Sequence, residues 1–323
     1  MQSRNGEPGV QPERGVTEHP QWGALPLANG TRFRLWAPAL ERASVFLDGE
    51  REPLGMLAVE GGWHELTTNR AGVGSRYWFV LPDGTRVPDP ASRFQPEDVG
   101  GPSEVIDTHR FAWTDASWRG RPWNEAVLYE LHVGTFTPAG TFAGAQEKLP
   151  HLAALGVTAI ELMPIGDFAG ARNWGYDGVL PFAPESAYGR PEELQALVDA
   201  AHRHGLMVLL DVVYNHFGPE GNYLGRYAPQ FFTNRHHTPW GAAINFDGAD
   251  SAPVREMFVE NALYWMEDYH FDGLRLDAVH AILDDSRVHI LDELAERVRA
   301  RTSGREVHLI VENEDNQARR LAR

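Results

Sequence analysis

From residue 23 to about 108 the chain alternates apolar and polar side chains in short runs, such as Thr31-Arg-Phe-Arg-Leu-Trp36, Ala43-Ser-Val-Phe-Leu47 and Arg76-Tyr-Trp-Phe-Val80, cut by Gly, Pro and Asp turns. A period of two marks strands buried on one face, and the pattern predicts a small β-sandwich, of immunoglobulin-like type, over 23–110. A Pro-rich stretch from Val87 to Pro102 and a Trp-bearing connector, 111–124, close it off. The rhythm then changes. Over 125–323 short apolar runs alternate with stretches of helical period, which predicts βα units on a parallel sheet. The expected strands are Val127 to His132, Ala159 to Pro164, Met207 to Val212, Gly273 to Asp277 and Val307 to Glu312. The expected helices are Ala143 to Leu155, Pro191 to His204, Pro253 to Tyr269 and Val288 to Arg301. Gly156 and Gly205 fall where C-caps belong, and Pro191 where a first helical turn tolerates proline. Residues 214–251 are too long, and too rich in Gly, Asn, His and aromatics, for an ordinary βα loop, which marks a functional excursion over a site.

Composition removes several classes of function. With 323 residues and 42% hydrophobic side chains the chain can bury a sizeable core and is long enough for two domains. Its 29 basic and 45 acidic residues leave a net charge of −16, which repels phosphate backbones and anionic headgroups, so no nucleic-acid and no membrane partner is expected. Cysteine is absent, which rules out disulfides, thiolate metal sites and a cysteine nucleophile. Residues 1–22 are polar and expected to be flexible, without the apolar core of a secretion signal, and a soluble, cytoplasmic protein is expected.

Ionisable and polar residues recur at the C-terminal ends of the expected strands: Glu130 and His132 on the first, Asp211, Asn215 and His216 after the third, Arg275 and Asp277 on the fourth, Glu312 on the fifth. In a (β/α) barrel those ends converge on one face, so the set predicts a shared pocket. Two carboxyls in one pocket suit retaining glycoside cleavage, in which an ionised carboxylate attacks the sugar and a protonated one serves the leaving oxygen. Arg275, two positions before Asp277, faces the same side and would hold that carboxylate ionised, while Glu312, after the apolar run His308-Leu-Ile-Val311, would be partly desolvated toward its protonated form. The loop Asn173-Trp-Gly-Tyr-Asp-Gly178 offers Trp174 and Tyr176 as faces on which sugars stack; a plug for the barrel mouth is the alternative. His236-His237 with Asp247 and Asp250 could tempt a metal assignment, but loop residues touching sugar or solvent are the expectation, and no metal and no cofactor is called for.

Asp211-Val-Val-Tyr-Asn-His216, Gly273-Leu-Arg-Leu-Asp-Ala-Val-His280 and Leu309-Ile-Val-Glu-Asn313, in that order at strand ends, resemble the sequence motifs of the α-amylase family. The resemblance implies a (β/α)8 TIM barrel after the β-sandwich, with Asp277 as nucleophile and Glu312 as general acid and base. It implies Arg275 and His216 as contacts around the sugar at the cleavage point, Asp211 as a structural carboxylate, Tyr176 as a stacking tyrosine, and His280 and Trp174 as further substrate contacts. The longer stretches Trp174 to Pro184, Asn215 to Leu224 and Thr238 to Asp247 are similar to the maltooligosyltrehalose trehalohydrolases of that family. That similarity implies hydrolysis of the α-1,4 bond next to the terminal trehalose of maltooligosyltrehalose or a related α-glucan. A glucan branching enzyme of the same family and a non-catalytic glucan-binding protein are the competing readings. The family's barrel has eight strands and a third catalytic carboxylate beyond the fifth, so only about the first five βα units are expected here, with exposed sheet edges, as in a piece of a longer protein. Oligomeric state is left open.

Overall fold

The computed structural model describes residues 21–318; the flexible segment expected over 1–22 lies, up to residue 20, outside the described residues. Among the described residues, nine strands precede the connector. β1 (Leu25–Leu27), β2 (Gly30–Trp36), β5 (Leu57–Val59) and β6 (Trp63–Thr68) form an antiparallel sheet in the order β1-β2-β6-β5. β3 (Ser44–Leu47), β4 (Leu54–Gly55), β7 (Arg76–Val80) and β8 (Arg86–Val87) form a second, with β9 (Ser103–Glu104) also beside β7. The alternation in the sequence is the reason these two sheets share a core. Phe33 and Leu35 of β2, and Tyr77 and Phe79 of β7, are all buried, and Phe33 meets Tyr77 edge to face at 4.7 Å.

After the connector, β10 (Leu128–Leu131), β11 (Ala159–Leu162), β14 (Met207–Val212), β17 (Gly273–Leu276) and β18 (His308–Val311) form one parallel sheet in sequence order. Helices α1 (Val133–Phe136), α2 (Phe142–Gln146), α3 (Leu149–Leu155), α4 (Pro191–Arg203), α5 (Leu224–Tyr227), α6 (Ser251–Glu267) and α7 (Ile290–Arg301) connect and cover it. The single helix expected over 143–155 is two, because Pro150 in the first turn of α3 has no N–H to continue the α2 ladder. Gly156 caps α3 at φ 92° as expected. Two antiparallel ribbons had no sequence forecast: β12 (Gly166–Asp167) with β13 (Leu180–Pro184), and β15 (Phe232–Thr238) with β16 (Gly241–Ile244) inside the excursion.

Alternation along the parallel strands sorts side chains to two faces. Ile160, Leu162, Val208, Leu210, Leu274 and Leu276 join the large core, whereas Ala159, Met207 and Leu209 form a separate small cluster with Ile310. β10 and β18 are the sheet's edges, and Val127, Leu128 and Tyr129 are exposed along the first. No helix among the described residues is long and apolar enough to cross a membrane.

The connector lies across the N-terminal ends of the strands. Gly120 sits at φ 78° with Glu306 so close that a Cβ would meet its carbonyl oxygen at 2.3 Å, so glycine is required there. Beneath it, Asp272, fully buried, accepts hydrogen bonds from Trp118 Nε1 (2.7 Å), Val208 N (2.9 Å) and Arg305 (3.2 Å), and pairs with His202 at 3.0 Å. One carboxylate thus fastens connector, α4, β14 and the approach to β18. Burial by itself would lower the His202 pKa, but the hydrogen bonds to Asp115 (2.8 Å) and Asp272 outweigh it and raise it above the ordinary 6.5. A raised histidine stabilises the fold fully below its unfolded-state value, and that share is lost as pH rises through the folded-state value. Asp272→Ala should therefore cost about 3–5 kcal/mol in urea unfolding, since it strands buried donors and a buried cation. The cost should be greater at pH 6 than at pH 9, and a pH-independent cost would remove His202 from the account.

Candidate active site

Parallel pairing places Asp211 opposite Arg275, and Arg275 opposite Ile310. Side chains alternate along a strand, so Asp277 stands on the face of Arg275 and Asp211. Leu276 pairs with Val311, and continuing that register by one residue sets Asp277 beside Glu312 on neighbouring strands. The Arg275 guanidinium reaches all three carboxylates. Its Nη1 lies 3.0 and 2.9 Å from the two oxygens of Asp211 and 2.6 Å from Asp277 Oδ1, and its Nη2 lies 4.0 Å from Glu312 Oε2. Asn215 Nδ2 donates to the other Asp277 oxygen at 3.0 Å and to its backbone carbonyl at 2.9 Å.

The turn after Asp277 is strained. Ala278 holds φ 43°, the left-handed region that a Cβ disfavours, and thereby aims its N–H at Glu312 Oε2, 2.8 Å away. Val279 N donates in turn to the Glu312 carbonyl at 2.9 Å, so the backbone after one acid holds the other. The desolvation foreseen for Glu312 is not found: its side chain is 36% exposed, because β18 is an edge strand whose residues are only half-buried.

Asp211 is buried, and burial pushes its carboxyl up to about 7 against the downward pull of Arg275 and of the Tyr176 hydroxyl, which donates to it at 2.9 Å. Burial, followed by the charge on Asp211, raises the Tyr176 phenol well above its ordinary range. For Arg275, burial opposes the charge, yet Asp211 and Asp277 outweigh it and hold the guanidinium still more firmly protonated. His216, its pKa lowered by burial, stacks flat on Trp240 with centroids 4.5 Å apart and planes at 5°. Trp174 is 62% exposed and meets His132 edge to face at 5.0 Å, while His132 contacts the Asn173 carbonyl at 2.7 Å and the Tyr188 hydroxyl at 3.0 Å. His280 lies farther along the same turn, 3.7 Å from exposed Glu314.

Of the expected residues, Asp277, Glu312, Arg275, Asp211 and Tyr176 form one bonded group and His216 adjoins it through Asn215, whereas Trp174 contacts His132 and His280 contacts Glu314 outside that group. Asn215, expected at this strand end without a role of its own, holds Asp277; Trp240, the stacking partner of His216, is not among the expected site residues, although it lies in the stretch from Thr238 to Asp247. Among the described residues, two groups could present oxygen or nitrogen to a metal. Glu130, Glu161 and Asp211 converge within 4.8 Å, with Arg275 beside them, and burial followed by Glu130 raises Glu161. His236, Asp247 and Asp285 do likewise, with Arg235 3.3 Å from Asp247, whereas His237 and Asp250 stand outside that group.

Comparison with known proteins bears on this geometry. The family described as "Alpha amylase, catalytic domain" matches residues 105–239. A malto-oligosyltrehalose trehalohydrolase from Deinococcus radiodurans is 52% identical over 278 residues, 85% of this chain and 45% of that one. A 1,4-alpha-glucan branching enzyme from Rubrobacter xylanophilus is 35% identical, over 79% of this chain and 38% of its own. A crystal structure of a Salmonella typhimurium protein assigned as an alpha amylase superposes with a TM-score of 0.88 at 50% identity, covering 92% of this chain and 50% of that one. The chain spans about half the length of the curated relatives it matches.

Removing the shared cation tests the electrostatics. Arg275→Gln leaves Asp211 and Asp277 without their ion pair, and should destabilise by about 3–5 kcal/mol at pH 8. At pH 5 the cost should fall, because Asp211, with its pKa near 7, is then protonated and needs no partner. Denaturant titrations at the two pH values compare the costs directly.

Proposed function

The chain belongs to the α-amylase family, and on that premise we propose that its site serves a glycoside hydrolase that cleaves the α-1,4 bond next to the terminal trehalose of a maltooligosyltrehalose, releasing trehalose. The similarity to a named trehalohydrolase, at 52% over most of the chain, supports the substrate. The branching reading rests on a more distant likeness.

One observation carries the mechanism: Asp277 and Glu312 are register neighbours on adjacent parallel strands and border one guanidinium. Adjacent strands lie roughly 4.8 Å apart. Same-face carboxyls at that separation suit the ≈ 5–5.5 Å of a retaining pair better than the ≈ 6.5–9.5 Å that leaves room for water in an inverting one. In this proposal Asp277, oriented by Arg275 and Asn215, attacks the anomeric carbon. Glu312, open on its solvent side, donates a proton to the leaving oxygen and later takes one from water. Tyr176 and Trp174 offer ring faces to the sugar; His216, held flat on Trp240, and His280 line the approach; Asp211 anchors Arg275. No cofactor enters these steps.

We infer the finer architecture in the same spirit: an immunoglobulin-like unit over 23–110, the connector at 111–124, and the opening five βα units of an eight-stranded barrel from 125, with the excursion at 214–251.

Glu312→Gln should lower kcat by about 10²–10⁴-fold, the usual weight of a general acid and base, while Asp277→Ala should abolish turnover with sugar binding largely kept. Product chromatography from maltooligosyltrehalose reads both. New branch points in place of free trehalose would overturn the hydrolase in favour of a transferase.

A further inference from the structure

The N-terminal unit touches the aromatic side of the site through one loop that the reaction leaves unused. Residues 95–101, within the Pro-rich stretch, turn back tightly before β9. Gln95, fully buried, secures the base of the loop. Ser92 and Ser103 donate their hydroxyls to its Oε1 at 2.8 and 2.6 Å, and its Nε2 donates to the carbonyls of Asp98 (3.2 Å) and Gly101 (3.3 Å). At the tip Asp98 holds φ 73°, in the left-handed region that aspartate and asparagine tolerate better than most side chains. Gly101 N closes the turn onto the Asp98 carbonyl at 2.8 Å.

Two residues at this tip reach outward. Val99 is buried, yet it packs in a small cluster of its own with Val179, Leu180 and Ala183, at and beside β13, and with Ala169. A Cβ on Gly221 of the excursion would meet Val99 at 2.7 Å and Val179 at 3.2 Å, so the valine is wedged between the two. The Asp98 carboxylate divides its oxygens: Oδ1 accepts from Val99 N (2.6 Å) inside the loop, and Oδ2 accepts from Gly170 N (2.9 Å) across the gap.

Gly170 belongs to the aromatic loop, residues 168–179, which the β12–β13 ribbon brackets. The far limb of that loop is fixed from the parallel-sheet side, where the Tyr176 hydroxyl donates to Asp211 at 2.9 Å and Gly218 N to the Gly178 carbonyl at 3.0 Å. In the near limb, Phe168 N goes to Glu185 and the Asn173 carbonyl to His132. Between these two points the limb is fastened through Gly170 to Asp98, and it leads into exposed Trp174.

We propose that Asp98, with Val99 beside it, is a positioning residue: the loop of the N-terminal unit holds the near limb of the aromatic loop and so sets where the Trp174 ring stands for an α-glucan chain. The N-terminal unit thereby contributes to sugar binding without touching the sugar. The far limb, not the near one, bonds the carboxylate group at Asp211, so loosening Asp98 weakens binding and leaves the chemical step alone. The link to sugar rests on the function proposed above; the link from Asp98 to the aromatic loop does not.

The test compares Asp98→Gly, which keeps the left-handed turn and removes the acceptor, with Asp98→Asn, which keeps both and removes the charge. Arg172, exposed in the near limb, is a tryptic site that reports opening of the limb without any substrate. Measured against the other tryptic cuts, cleavage after Arg172 should be about fivefold faster in Asp98→Gly, the equilibrium weight of one hydrogen bond, and close to the parent rate in Asp98→Asn. With maltooligosyltrehalose, Asp98→Gly should raise KM about fivefold with kcat within roughly twofold, and Asp98→Asn should restore KM. Unchanged cleavage after Arg172 in Asp98→Gly overturns the proposal, as does an Asp98→Asn protein as loose as Asp98→Gly. Faster cleavage with an unaltered KM overturns the contribution to sugar binding. If the parent itself releases no trehalose, the function proposed above fails, and the cleavage rates alone judge Asp98.

Discussion

The site depends on one guanidinium held among three carboxylates. Arg275 supplies a planar, permanently charged fork, and its two terminal nitrogens serve different acids: Nη1 binds Asp211 and Asp277, and Nη2 faces Glu312. A lysine ammonium is a point charge on a flexible stem and could not fix three acids in register in this way. The arrangement also explains why Asp211 holds its proton to about pH 7. One cation cannot compensate three buried or half-buried carboxylates, and the most buried of them is the one that neutralises. Asp211 is thus less a spare charge than the adjustable partner that keeps Arg275 aligned while Asp277 stays open to a sugar.

The two ends of the parallel sheet obey different rules. At the N-terminal end Asp272 gathers an indole, an imidazole, a guanidinium and a main-chain amide, and Trp118 stacks on His202 at 4.8 Å. At the C-terminal end Ala278 is held in the left-handed region, His280 Nδ1 is buried without a bond, and Glu312 stays partly open to solvent. Strain and unmet hydrogen bonds persist only where the surroundings over-determine them, and here the network gathered on Asp272 at the base provides that support.

How much of this the sequence carried follows from what each element is made of. The span of β14 was read to the residue, because Met207 to Val212 is an uninterrupted apolar run ending in an acid. The shared face of Asp211, Arg275, Asp277 and Glu312 follows from alternation once the strands are aligned. The β12–β13 and β15–β16 ribbons escaped notice. Their strands are short or polar, Gly166-Asp167 and Phe232-Thr-Asn-Arg-His-His-Thr238, and show no alternation of apolar and polar side chains. The hydration of Glu312 was misjudged for a related reason: apolar residues before it say nothing about whether a further strand lies alongside.

The acid-rich composition takes on a second meaning in the folded chain. At the sequence level a net charge of −16 only excludes anionic partners. In the fold, several of those acids are buried: Asp211, Glu185 and Glu260 are each pushed up to about 7, chiefly by burial. Glu260 is held nonetheless, because it accepts the N–H groups of Gln21 and Trp22 and so pins the start of the described chain to α6. A carboxyl whose folded-state pKa lies above its unfolded value keeps protons that the unfolded chain has released, so each of these groups erodes stability as pH rises from about 4 to 7. The histidine network at the base works in the same direction, since His202 stabilises most when charged. Tolerance of neutral pH therefore rests on partners placed where burial is deepest: the Arg275 charge at Asp211, and main-chain amides at Glu260 and Glu185.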